Sequence, residues 1–200
     1  MSAHTETEIK LFCPDLESVA DRLESAGATL VTPRVFERNV RYENAEESFT
    51  HDGIVLRLRQ DERARLTYKG PGTVTDDIMA RYEAEVEIDN IETMGAILEK
   101  LGFKPYMTYE KHRTTYRLDT VEIVLNEMPY GNFIEIEGEA DAIEAAIQRL
   151  DLGAAPRYGV SYVGLFYMVR HNLGLEFDDL TFANFEGVEV PEWAFVPLLD

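Results

Sequence analysis

The chain of 200 residues has a single cysteine, Cys13, which excludes an intrachain disulfide and any zinc site built from clustered thiolates. Stability has to come from packing. No uncharged apolar run approaches the roughly 20 residues that span a bilayer, and residues 1–10 offer neither a basic start nor an apolar h-region. The expectation is a cytoplasmic protein with no membrane partner. Positive charge is scarce, with 19 Lys and Arg against 38 Asp and Glu and a formal charge of −19. That excess argues against a generic nucleic-acid or anionic-membrane surface. Lysine is rarest among the charged types, five against fourteen arginines. A surface so rich in carboxylate stays hydrated in concentrated salt, which concerns habitat rather than function. A Ser/Gly-rich linker is also missing, so the length fits one domain, or one domain with an appendage.

What is present is a core and a strong alternation. Hydrophobic residues make up 45% of the chain, the usual share for a protein that buries an interior. Residues 6–12 alternate charged and apolar with the period of a strand. After Pro14, Leu16, Val19, Ala20 and Leu23 recur at helical spacing, and Gly27 stands where a C-terminal cap would. The same order returns at 81–89 followed by a helix at 91–101, and at 133–137 followed by a helix at 141–150. Further short strands are expected at 40–43, 54–59, 65–69, 111–117 and 122–125, for about eight in all, with turns at His51-Asp52-Gly53 and Gly70-Pro71-Gly72. A helix at 161–171 follows. The remainder reads as an irregular tail anchored by Phe177, Phe182, Phe185, Trp193 and Phe195.

The charges on these strands are sorted. Glu6, Glu8 and Lys10 share one strand face, as do Arg57 with Arg59, Arg81 with Glu83 and Glu85, Lys111 with Arg113, and Glu135 with Glu137; Lys69 stands alone. If the sheet closes on itself, these faces point into one lumen while Leu56, Leu58, Ile134 and Ile136 pack outward. So many ions are costly to bury unless they neutralise one another or hold a charged ligand. Carboxylates two residues apart on a strand lie roughly 7 Å apart along it, so Glu6, Glu8, Glu135 and Glu137 can share one or two hard cations. Oxygen donors suit Mg²⁺ or Mn²⁺. Arg57, Arg59, Lys69, Arg81, Lys111 and Arg113 remain for an anion, and arginine forks match phosphate oxygens. A polyphosphate bridged to a divalent metal uses both halves.

In order along the chain, Glu6-x-Glu8-x-Lys10, Leu56-Arg57-Leu58-Arg59, Leu66-Thr67-Tyr68-Lys69-Gly70-Pro71, Arg81-x-Glu83-x-Glu85, Lys111-x-Arg113, Gly131-Asn132-Phe133-Ile134-Glu135-Ile136-Glu137 and Ser161-Tyr162 resemble the CYTH family over about residues 5–170. That family comprises triphosphate tunnel metalloenzymes: class IV adenylate cyclases, thiamine triphosphatases and inorganic triphosphatases. The resemblance implies an α+β fold, a closed eight-stranded antiparallel β-barrel with helices packed outside. Residues 1–171 would form the tunnel domain, with 172–200 an extension packing on the barrel or on a second copy of the chain in a homodimer. It implies a triphosphate, whether tripolyphosphate, ATP or thiamine triphosphate, held by Lys10, Arg57, Arg59, Lys69, Arg81, Lys111 and Arg113. Metal would be held by Glu6, Glu8, Glu135 and Glu137. Glu83, Glu85 and Lys111 are the candidate catalytic residues, with Glu83 or Glu85 orienting water.

Hydrolysis is the favoured reaction because it asks less of the site than orienting a ribose; cyclisation of ATP to cyclic AMP and pyrophosphate is the alternative, and a non-catalytic triphosphate-binding protein a third. One departure bears on that third reading. Asn126 stands where the family often has Asp, with Glu127, Asp119 and Glu122 as possible substitutes. Tyr42, Tyr68 and Tyr162 are expected to be packing residues. The four histidines show no metal-ligand spacing, and Gly70-Pro71-Gly72 lacks the following helix of a phosphate loop.

Overall fold

A computed structural model of the chain describes residues 5–196. Eight strands, β1 (Thr5–Phe12), β2 (Thr29–Glu43), β3 (Val55–Gln60), β4 (Ala64–Thr75), β5 (Ile78–Ile88), β6 (Lys104–Leu118), β7 (Val121–Met128) and β8 (Gly131–Glu137), close into an antiparallel barrel in the order β1-β5-β4-β3-β2-β6-β7-β8. This is the α+β barrel that the family resemblance implies, and it closes the sheet as the sorted charges require if they are to share one lumen. Closure gives every strand of the ring a partner on both sides, although the longest strands extend past their neighbours.

Three strands are much longer than their alternation suggests, and β6 begins at Lys104 rather than at residue 111. β2 starts at Thr29 rather than at residue 40, because its first half is largely exposed and its register slips between Leu30 and Thr32 and again between Thr32 and Val35. Pro33 lies within the second slip, where a missing N–H costs no ladder bond. The Gly70-Pro71-Gly72 segment is not a turn: β4 runs through it, and its pairing to β5 jumps from Lys69 to Gly72 across a bulge. Glycine beside proline breaks the ladder locally without ending the strand.

Four helices cover the outside. In α1 (Leu16–Ser25), Asp15 accepts the Ser18 N–H as N-cap, and Gly27 past its end takes φ 78°, a conformation that favours glycine. Its buried Val19 and Leu23 join Ile143, Ala146 and Ile147 of α3 (Ala140–Arg149) over the outward faces of β1, β7 and β8, where Ile9, Leu11, Ile123, Leu125, Ile134 and Ile136 are almost fully buried. Burying each such side chain contributes roughly 1.5–3 kcal/mol. On the opposite side α2 (Ile91–Lys100) sits on Tyr42, Leu56 and Leu58. Gly95 permits that approach, since a Cβ there would come within 3.0 Å of the Tyr42 hydroxyl.

α4 (Tyr162–Leu173), capped by Ser161, packs with the tail on a third cluster around Phe133, Tyr130 and Met107, to which Phe177, Leu180, Phe185 and Phe195 belong. β7 pairs with β6 only from His112 onward, leaving the earlier part of that edge open. The tail fills part of it: Leu180 N–H donates to the Thr108 carbonyl at 2.9 Å, Glu110 N–H to the Leu180 carbonyl at 2.9 Å, and Thr108 N–H to Asp179 Oδ1 at 2.7 Å. The tail therefore packs on the barrel. Among the described residues no helix is long and apolar enough to cross a membrane.

Candidate functional site

Alternation points the charged faces of the strands into a cavity of about 300 Å³. All thirteen site candidates line it: Glu6, Glu8 and Lys10 from β1, Arg57 and Arg59 from β3, Lys69 from β4, Arg81, Glu83 and Glu85 from β5, Lys111 and Arg113 from β6, and Glu135 and Glu137 from β8. Arg41 and Glu122 join them, so that eight cationic side chains meet seven carboxylates in a protein of net charge −19. The inside is nearly balanced while the outside is strongly acidic. A second cavity of about 440 Å³ adjoins the first and shares Arg59, Glu85, Arg113 and Glu122.

Several of the most buried charges are paired, whereas Arg57 donates to the Tyr109 hydroxyl and has no ion pair among the described residues. Lys10 Nζ lies 3.2 Å from Glu135 and 4.4 Å above the Tyr162 ring centroid. Asn126 donates to both Glu135 and the Tyr162 hydroxyl at 2.9 Å. Burial opposes ionisation of Glu135, yet Lys10, Lys111 and Arg113 hold its pKa at about 2. Glu37 is completely buried and faces Arg113 at 3.3 Å and Lys111 and Arg59 at 3.7 Å, while Asn39 donates to it at 2.9 Å. Burial alone would raise its pKa, but the surrounding Lys111, Arg113, Arg59 and Arg57 keep it well below the usual carboxylate range. Lys111 is lowered by burial to about 8, with Glu37 and Glu135 opposing the fall.

Along β5, Glu83 pairs with Lys69, and Glu85 takes Arg59 at 2.8 Å, Arg65 at 3.6 Å and the Thr67 hydroxyl at 2.7 Å. Burial would raise Glu83, but hydrogen bonding from Glu6 and the charges of Lys69 and Arg57 bring it to about 2.

The carboxylates of β1, β8 and β7 are arranged differently. Register places Glu8 opposite Glu137 and Glu137 opposite Glu122, a row of three across neighbouring strands. Like charges directly opposite destabilise a sheet. Burial and then the charges of Glu122 and Glu8 raise Glu137 to about 7, and burial with hydrogen bonding to Glu83 raises Glu6 to about 8. Among the described residues Glu8 is answered only by Arg81, at 3.6 Å. Among the same residues no three His, Cys, Asp or Glu side chains converge closely enough to cage a metal unaided.

The arrangement also shows what residue patterns missed. Glu37, Asn39 and Arg41 obey period two, but they lie where β2 is not expected from the sequence or has just begun. Tyr162 packs as expected, edge-on against Phe133, and in addition lines the cavity beneath Lys10 and Lys111. Of the three substitutes for the carboxylate absent at Asn126, Glu127 pairs with Arg34 at 2.7 Å and Asp119 with Arg149 at 2.7 Å, neither lining the cavity, whereas Glu122 does. His112 does not line the cavity and lies between Phe36 and Phe182, with its ring tilted against both.

The CYTH domain model matches residues 4–152. The chain belongs to the CYTH family. It is similar to a protein of Methanocaldococcus jannaschii named, provisionally, an adenylate cyclase, with 30% identity over 134 residues that cover 66% of this chain and 75% of the relative. Among solved structures it resembles a provisionally named adenylate cyclase from Vibrio parahaemolyticus at TM-score 0.72 and 16% identity, covering 83% of this chain and 99% of the other. It also resembles HpAC1 of Hippeastrum, described as an adenylyl cyclase with a dominant triphosphatase activity, at TM-score 0.61 and 20% identity, covering 81% of this chain and 95% of the other. At these identities the two structures establish the shared fold. The CYTH match ends before α4 and the tail, which supply Tyr162 and fill part of the open edge of β6.

Proposed function

We propose that this CYTH protein is a divalent-metal-dependent triphosphatase that hydrolyses a triphosphate inside the barrel. The carrying observation is the split of the cavity into a buried cationic end, around Lys10, Lys111, Arg57, Arg59 and Arg113, and the carboxylate row Glu8–Glu137–Glu122. Phosphate oxygens need the first; a hard cation that joins them to protein needs the second. Mg²⁺ and Mn²⁺ suit carboxylate-only donors, and Mg²⁺ characteristically takes one or two carboxylates together with substrate phosphates rather than a protein cage. The residues present fit such a cation. Glu8 and Glu137 would hold it, with Glu6 and Glu122 beside them, and Glu135 belongs less to the metal than to Lys10 and Asn126. When bound, the ion supplies charge neutralisation to the phosphate oxygens.

The chain's own groups do the positioning. Guanidinium forks of Arg57, Arg59 and Arg113 and the ammonium groups of Lys10 and Lys111 hold the phosphate chain and stabilise charge spread over the transferring phosphoryl group. Lys69 and Arg81 reach the same chain from the carboxylate side. Water attacks the terminal phosphorus, the bridging P–O bond breaks with its oxygen staying on the diphosphate leaving group, and the transferred phosphoryl group is released as orthophosphate. A loose phosphoryl-transfer transition state asks little of a general base. Glu83, held near 2, and Glu85, bound by two arginines and Thr67, are fitted to accept a hydrogen bond from that water rather than to take its proton.

Cyclisation of ATP is the second reading, carried by the names of the relatives. It would need a place for adenine, and among the described residues the only uncharged groups lining the cavity are three valines, two tyrosines and a serine. Incubation with Mg²⁺ or Mn²⁺ and, separately, tripolyphosphate, thiamine triphosphate and ATP, with products resolved by chromatography, distinguishes these readings. Orthophosphate from tripolyphosphate is the expected result. Cyclic AMP with pyrophosphate from ATP would replace it with a cyclase, and tight binding without turnover would make the protein a triphosphate-binding module.

A further inference from the structure

Glu37 has no part in the chemistry described so far, yet it is the most enclosed carboxylate around the cavity. It comes from the segment of β2 opposite Lys111, its side chain has no exposure, and three cations from β3 and β6 converge on it at 3.3 to 3.7 Å. Asn39, two residues along the same strand, donates to Glu37 Oε1 and so fixes the carboxylate's rotation. Glu37 itself does not line the cavity, whereas Arg59, Lys111 and Arg113 all do. It stands behind the phosphate clamp.

We propose that Glu37 is a positioning residue, the buried counter-ion that aims Lys111, Arg113 and Arg59 at the phosphate chain and keeps their combined charge tolerable before substrate arrives. This rests on the triphosphate reading above. Three cations within a few ångströms of one another repel, and without an anion behind them they would splay or, in the case of lysine, shed a proton. An anion on the cavity side of these cations would compete with substrate; one on the far side stabilises the clamp and leaves its inner face open. Arginine has no neutral form to fall back on, so Lys111 is where a change at Glu37 shows. Lys111 is faced by Glu37, Glu135, Arg113 and Arg57 and by the ring of Tyr162, which it shares with Lys10. With Glu37 neutral, only Glu135 among these charged groups still favours its charged state.

The test uses the full chain and tripolyphosphate as probe. Calorimetric affinity without metal is measured from pH 6 to pH 9 for the wild type, Glu37→Gln and Glu37→Asp, with kcat and KM for orthophosphate release in Mg²⁺. Comparing variants with wild type at each pH cancels the probe's own protonation. For Glu37→Gln the expected result is an affinity about tenfold or more weaker at pH 8, recovering toward wild type as the pH falls and Lys111 regains its proton. KM should carry most of the loss. Glu37→Asp keeps the charge but withdraws it by one methylene, and is expected to lie between the two. If Glu37→Gln does not fold, Glu37→Asp decides alone: a weaker, acid-shifted affinity supports the role and an unchanged one overturns it. Equal affinity of Glu37→Gln and wild type at every pH would overturn the role of Glu37 while leaving the triphosphate site intact. A wild type that binds no tripolyphosphate at any pH would overturn the triphosphate site, and this role with it.

Discussion

At the buried end of the cavity Glu37 is enclosed by Lys111, Arg113 and Arg59, and Lys10 by Glu135 and the Tyr162 ring; across β1, β8 and β7, Glu8, Glu137 and Glu122 face one another. The first region answers its charges with its own residues. The second leaves carboxylate opposite carboxylate, and two of the carboxylates there, Glu6 and Glu137, are pushed to about 8 and about 7. Within the row Glu8 meets Arg81 at 3.6 Å and Glu122 meets Arg117 at 3.3 Å and Arg113 at 3.9 Å, so that among the described residues Glu137, in the middle, has no ion pair. Under the proposed function, the difference marks where the protein supplies its own counter-ions and where a cation from solution would add to them.

The comparison is broken most severely at the buried end. Lys111→Met removes a clamp charge and leaves Glu37 and Glu135 short of a partner, so tripolyphosphate affinity should fall on the order of 1000-fold, as expected when one member of a desolvated charge set is removed; calorimetry reads this directly. Leu180→Ala strikes the same region from outside, because Leu180 is fully buried against the strand that carries Lys111. It should lower stability by about 2–3 kcal/mol in denaturant unfolding without changing how metal shifts the melting temperature. Glu137→Gln acts on the row alone. Relief of like-charge repulsion should raise metal-free stability by up to about 1 kcal/mol, and the rise in Tm on adding Mn²⁺ should vanish.

The pH dependence sharpens the contrast. A carboxylate whose pKa is raised by folding binds its proton more tightly in the folded state, so its contribution is fully present below the ordinary value of 4.5 and is lost as pH rises through the folded value. Without divalent metal, Tm should therefore fall between about pH 5 and pH 8, and saturating Mg²⁺ should flatten that slope. A flat profile without metal would mean that the row carries no strain. The smallest expected effect is that of salt. An exterior of net charge −19 repels anionic substrates, and screening within a Debye length of about 10 Å at 0.1 M should raise the rate from its low-salt value. A rate that falls steadily from low salt upward would count against it.

Much of this is legible in residue order. Period-two alternation with charge on one face and Leu, Ile or Val on the other places Glu6, Glu8, Lys10, Arg57, Arg59, Glu135 and Glu137 inside a closed sheet before any coordinates. Glu37 is not legible, because Pro33 and two register slips hide the first half of β2, and a strand beginning at residue 40 leaves no reason to turn Glu37 inward. The bulge at Gly70-Pro71-Gly72 has the composition of a turn; only the pairing of Gly72 with Arg81 shows that the strand continues. Which of the possible substitutes for Asn126 lines the cavity also depends on geometry: Glu127 and Glu122 are both on β7, but five residues apart they fall on opposite faces.

The most direct test is calorimetric titration of tripolyphosphate into the full chain at fixed ionic strength, with and without Mg²⁺. The account expects one site per chain, occupied in both conditions and markedly tighter with the metal, because the cation would join the phosphate chain to the carboxylate row around Glu137. Binding of equal strength with and without metal, or none at all, would contradict it.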